Sequence, residues 1–92
     1  PFNIASYALL LSIFGEILDL TPKRFVHSFG DAHIYKNSIN QVKEQISREP
    51  KILPTLTMPK LSSLEDISKC KVEDFKLVNY EHHPAIKAKM AV

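Results

Sequence analysis

His33 and Tyr35 stand two residues apart in the stretch "FGDAHIY". In an extended segment, residues two apart share a face. An imidazole and a phenol then lie side by side, with Ile34 on the opposite face. Each can donate and accept a hydrogen bond, so together they form a polar grip suited to a hydroxyl. A half-buried pair satisfied by its own surroundings fits the same pattern. Asp31, just after Gly30, reads as a turn residue bonding its own backbone. His27 lies between Phe25 and Phe29 and reads as a satisfied core histidine. His82 and His83 are adjacent, so their side chains diverge. With one cysteine, no zinc-ligand spacing exists. Cys70, between Lys69 and Lys71, has the cationic neighbours of a reactive thiol, but an ordinary loop thiol is the simpler reading. The sequence holds no phosphate loop, no GxGxxG and no Ser-His-Asp order.

Several elements must position these groups. Asn3 is a candidate N-cap for a helix running to about Leu18. Its apolar residues, from Ile4 and Ala5 through Leu9, Leu11, Ile13 and Leu18, cover most of the circumference. That pattern predicts a buried helix, not an amphipathic one. Thr21-Pro22 then resembles a cap with proline at the first helical position. Phe25, His27 and Phe29 alternate with Val26 and Ser28, which predicts a strand over 25–29. Gly30 would break it, as a bulge or a close backbone approach, and Ala32–Tyr35 would continue extended. Asn37 reads as the next cap. Ile39, Val42 and Ile46 predict an amphipathic helix ended by Pro50, with Lys43, Glu44 and Arg48 outward. "PTLTMP" predicts a short strand within 54–59. Leu61–Lys71 reads as a polar loop with a helical turn at Ser63–Ile67. Val72–Tyr80 holds a last strand, and the tail from Glu81 has little periodicity. The class is α+β, with a buried helix packed on a mixed sheet.

Ninety-two residues allow one domain at most, of marginal stability alone. Twelve basic and ten acidic residues give a net charge of +2, with no push toward nucleic acid or membrane. One cysteine cannot form an internal disulfide, which favours a cytoplasmic setting. The apolar run at Ile4–Leu18 lacks a basic lead-in and a cleavage pattern. It is also too short, and too interrupted by Ser6, Ser12 and Glu16, to span a bilayer. The start at Pro1, straight into an apolar run, predicts a C-terminal piece of a longer protein.

The strings "PFNIASYALL", "GDAHIY", "SREP", "VEDF", "YEHHPAIK" and the terminal "MAV", in that order, make the chain resemble thymidylate synthase. The resemblance covers residues 1–92 and implies the C-terminal part of that catalytic domain. It implies methylation of dUMP to dTMP, with 5,10-methylenetetrahydrofolate as one-carbon donor and reductant. The nucleophilic cysteine, in a Pro-Cys setting, and the phosphate-holding arginines would lie upstream of Pro1. Some of those arginines come from the partner subunit of a homodimer. No catalytic residue is therefore expected in this segment, and Cys70 matches none. The resemblance carries Asn3 over as the reader of the pyrimidine, its carboxamide complementing O4 and N3–H of uracil. His33 and Tyr35 match the pair that holds the deoxyribose 3′-hydroxyl, with Ile34 packed behind them. Phe2 matches a residue lining the folate aminobenzoyl site, and Met90, Ala91 and Val92 match a segment that closes over folate. A bifunctional dihydrofolate reductase–thymidylate synthase, a nucleotide-binding relative without the nucleophile, and a hydroxymethylase remain alternatives. Asparagine at position 3 favours uracil, because an acidic residue would suit cytosine better.

Overall fold

A computed structural model of the chain describes residues 2–89. The elements in order are α1 (Phe2–Ile17), a 3₁₀ turn (Lys36–Ser38), α2 (Ile39–Ile46), β1 (Thr55–Thr57), α3 (Leu64–Lys69), a second 3₁₀ turn (Val72–Asp74) and β2 (Lys76–Val78). The chain divides into two units. One holds the residues up to Ser28 with Leu56–Lys76; the other holds Phe29–Thr55 with the residues from Leu77 onward. β1 and β2 pair as a two-stranded sheet, and the chain passes between units within these strands. Helices with a small sheet agree with the α+β class. A larger mixed sheet is not present among the described residues.

In the first unit, α1 spans the expected residues but not with the expected covering. Gly15 is its one buried residue. Phe2, Ile4, Tyr7, Leu10 and Phe14 are exposed. Leu61, 2% exposed, is the buried hydrophobic residue of the described chain. The prediction of a buried helix thus fails within these residues, for lack of chain to lie against it. The helix also begins one residue early, so Asn3 lies in its first turn and is not the cap.

α1 closes on a two-bond turn. Asp19 takes a left-handed φ of 53°. The Leu20 amide donates to the Gly15 carbonyl at 2.8 Å, and the Asp19 amide to Glu16 at 3.3 Å. This is the Schellman arrangement, with Asp19 where glycine is usual. The chain then folds back so closely that a Cβ on Gly15 would lie 2.6 Å from Pro22 Cγ and 2.8 Å from the Leu20 carbonyl oxygen. Alanine favours a helix over glycine by about 1 kcal/mol, but overpacking costs about 1–3 kcal/mol. Here one of the clashing atoms is backbone. Gly15→Ala in the complete protein is therefore expected to lower Tm. A melt showing a higher Tm would mean that the return loop simply moves aside.

α3 is longer than the turn read from the sequence. Asp66 Oδ2 accepts from the Ser62 and Ser63 amides at 3.1 Å each, the reach-back half of a capping box at the Ser63 N-cap. Lys69 Nζ donates to Asp66 Oδ1 at 2.9 Å. Lys69, together with the Ser62 amide, holds the Asp66 carboxyl down at about 2, against an ordinary 3.8. A lowered folded value means that the ionised form favours the capped helix. That support is complete above about pH 4 and is lost as pH falls through about 2. Carboxyl NMR of Asp66 against pH, in the complete protein, is expected to give a midpoint near 2. A midpoint near 3.8 would mean that the cap does not persist in solution. Cys70 caps the other end, its Sγ–H donating to the Asp66 carbonyl at 3.3 Å.

In the second unit, the expected helix appears as α2, but its start is shifted. Asn37 lies inside a 3₁₀ turn, and Ser38 holds the N-cap position. Arg48 is not an outward charge: it bonds the chain near Pro84 through the Pro84 carbonyl. No strand forms over 25–29 in the first unit or at Phe29. Phe25 and His27 do share a side, with ring centroids 5.9 Å apart. The alternation thus survives, but among the described residues no strand lies beside it to form a ladder. Gly30 is a bend, with negative φ and open space where a Cβ would go, so it is neither a bulge nor a close approach. The last strand is also shorter than read: a 3₁₀ turn takes Val72–Asp74, and the amide of Lys71, its N-cap, donates to Asp74 Oδ2.

Candidate functional site

The side chains singled out by sequence fall into three groups. Asn3 and Phe2 belong to the first unit, and His33, Ile34 and Tyr35 to the second. Met90, Ala91 and Val92 lie outside the described residues.

Asn3 is exposed in the first turn of α1. Because the helix starts before it, its carboxamide is not used as a cap. Among the described residues it has no hydrogen-bond partner, so its donor and its acceptor are both unspent. Phe2, beside it, is 84% exposed. An apolar ring and an unengaged carboxamide thus emerge at one helix end.

His33 and Tyr35 meet as the alternation requires. Their ring centroids lie 5.1 Å apart with planes at 79°, an edge-to-face contact. Tyr35 is extended, with φ −66° and ψ 141°. Its carbonyl accepts from the Ser38 amide at 2.9 Å, which fixes it at the entrance of the 3₁₀ turn leading into α2. Helix start and site residue are therefore one structural feature. Asp31 does not fold back on its own backbone as a turn residue would. Its Oδ1 lies 3.5 Å from His33 Nδ1. Ile34 is 60% exposed and does not pack behind the pair within this chain.

The sequence reading missed a clasp on the tail. Arg48 Nη1 donates to the Pro84 carbonyl at 2.7 Å, and Nη2 to Glu44 Oε1 at 2.7 Å. His83 Nε2–H donates to the Glu49 carbonyl at 2.8 Å. Gln41 Nε2 reaches the Lys87 carbonyl at 3.4 Å. Three side chains thus bond carbonyls between residues 41–49, which run through α2 and past its end, and residues 83–87. Arg48 and Glu49 lie in "SREP", and His83, Pro84 and Lys87 in "YEHHPAIK"; their separation in sequence hid the connection. His82 turns the other way, toward Tyr80, with centroids 5.3 Å apart, as expected of adjacent histidines.

Among the described residues, no cluster of three His, Cys, Asp or Glu side chains is placed to hold a metal ion. No helix among them is long and apolar enough to cross a membrane.

Comparison with known proteins gives these fragments a common frame. The family model described as thymidylate synthase matches residues 1–92. A thymidylate synthase of Malacoplasma penetrans is 51% identical over 92 residues, covering 100% of this chain and 31% of its own length. One from Mycoplasma mobile is 48% identical over 92 residues, with the same coverage. One from Francisella philomiragia is 55% identical over 93 residues, covering 33% of its length. The chain spans about a third of the length of these curated relatives. With a family match from the first residue to the last, the chain belongs to the thymidylate synthase family.

Proposed function

We propose that this segment serves the reductive methylation of dUMP to dTMP, as the C-terminal part of a thymidylate synthase catalytic domain. The carrying observation is the match over every residue of the chain, at about half identity to proteins of that name. In this reading the segment supplies substrate contacts and a closing tail, while the nucleophilic cysteine and phosphate-binding arginines come from the remainder of a homodimeric protein. A dihydrofolate reductase domain in the same polypeptide is compatible with it, and a cytoplasmic location follows from the reaction class.

Each role has a physical rationale. The Asn3 amide donates to uracil O4 while its oxygen accepts from N3–H, a pairing that requires a carboxamide not already spent as a cap. His33 and Tyr35, in edge contact, converge on the 3′-hydroxyl of the deoxyribose. Ile34 accompanies them as a neighbouring backbone and apolar contact. Phe2 presents an open aromatic face, which fits the flat aminobenzoyl ring of the folate. When bound, 5,10-methylenetetrahydrofolate supplies the one-carbon unit and the hydride. Met90, Ala91 and Val92 would close over it, and closure excludes water from a reactive site. The clasp of Arg48, His83 and Gln41 holds the chain leading to that tail.

The test is turnover by the complete protein, with dTMP and dihydrofolate formed together from dUMP and the folate. Within it, Tyr35→Phe removes only a hydroxyl. It is expected to raise KM for dUMP roughly tenfold, the cost of about one hydrogen bond to a polar ligand. Absence of dTMP formation by the wild type would reject the reaction. An unchanged KM in Tyr35→Phe would reject the sugar contact.

A further inference from the structure

The 3.5 Å approach of Asp31 Oδ1 to His33 Nδ1 gives the second residue of "GDAHIY" a chemical task. A neutral imidazole carries one proton, on Nδ1 or on Nε2, and the hydrogen bond made by one nitrogen sets the role of the other. A carboxylate facing Nδ1 only accepts, so it favours the tautomer with the proton on Nδ1. Nε2 is then left with its lone pair outward. The pair is not buried: the side chains of His33 and Asp31 are 56% and 85% exposed. At 3.5 Å and this exposure the approach adds little to stability.

We propose that Asp31 is a positioning residue that holds His33 with Nδ1–H toward its carboxylate, so that Nε2 accepts a hydrogen bond from the substrate's sugar hydroxyl. This rests on the reading of His33 and Tyr35 as the 3′-hydroxyl site. It divides the work between them. The 3′-hydroxyl donates its proton to His33 Nε2, and its oxygen accepts from the Tyr35 hydroxyl. A single OH is thereby used as both donor and acceptor. An imidazole of the other tautomer would present N–H to the hydroxyl oxygen, and the hydroxyl proton would then lose its acceptor on His33. The chain bends at Gly30 and Asp31, and the Asp31 carboxylate lies 3.5 Å from His33 Nδ1. The open space around Gly30 shows that no packing requirement forces that bend.

The experiment uses the complete protein, with Asp31→Ala and Asp31→Asn. Nitrogen NMR of labelled histidine reports which nitrogen of His33 is protonated. Binding of dUMP is compared with that of its 2′,3′-dideoxy analogue, which lacks the hydroxyl. In the wild type, the protonated nitrogen is expected to be Nδ1, and dUMP to bind more tightly than the analogue. Asp31→Ala is expected to mix the tautomers and to weaken dUMP binding about five- to tenfold while leaving the analogue unchanged. Asp31→Asn keeps an acceptor beside Nδ1 and is expected to fall between the two. It also supplies the comparison if the alanine variant folds poorly. Equal wild-type affinity for the two nucleotides would overturn the sugar reading, and this role with it. Discrimination retained in both variants, or an Nε2-protonated His33 in the wild type, would overturn the role of Asp31 alone.

Discussion

Asn3→Asp in the complete protein is expected to cut kcat/KM for dUMP by roughly 10- to 100-fold and to raise the ratio of dCMP to dUMP turnover. An ionised aspartate offers acceptors only, so one of its oxygens would face uracil O4, itself an acceptor. Leaving such a buried pair unmatched costs about 1–3 kcal/mol, which sets the size of the loss. A protonated aspartate has the opposite pattern. It donates to cytosine N3 and accepts from the 4-amino group, so cytosine loses less or gains. The position of Asn3 in α1 sharpens the test. Because the helix starts at Phe2, Asn3 is not the cap, and replacing it removes no capping bond. A negative charge in the first helical turn is, if anything, favourable. Stability should hold, and a thermal melt run beside the kinetics checks this. An unchanged dCMP-to-dUMP ratio in a variant of normal Tm would show that Asn3 does not read the base.

How far the sequence disclosed these features depended on the distance over which each is decided. α1 was legible because its apolar residues are local. The pairing of His33 with Tyr35 was legible because a period of two needs only an extended backbone. α3 was understated although its signal, serine followed three residues later by aspartate, lies in the sequence at Ser63 and Asp66. The strand at 25–29 failed for the opposite reason. Alternating aromatics describe one face of a strand, but a strand exists only where another chain segment accepts and donates along it. Helical position alone points Arg48 outward. Its acceptor, the Pro84 carbonyl, lies 36 residues away. Asp31 was assigned to its own turn because that is the local default, whereas it reaches two residues ahead. The identity of the family was legible for a different reason: it rests on the order of six strings, each of little weight alone.

The bare 92-residue segment is expected to show no cooperative unfolding transition and no dTMP formation. The chain leaves 8605 Å² accessible at a mass of 10.5 kDa. Folded single-chain proteins of that mass expose about 5,400 Å². The surplus is not polar padding, since it includes Phe2, Tyr7, Leu10, Phe14 and Leu18, all more than 40% exposed. Ordering each residue still costs about 1–2 kcal/mol of backbone entropy. The hydrogen-bonded ladder of α1 cannot offset this, because isolated helices of about this length are marginal in water. The missing cover has to come from other protein, and the relatives are about three times as long as this chain. Hydrogen exchange separates the two states. Amides of α1 should exchange quickly in the segment and slowly in the complete protein. A single sharp denaturant transition in the segment, with α1 amides protected, would show that these residues carry a sufficient core of their own.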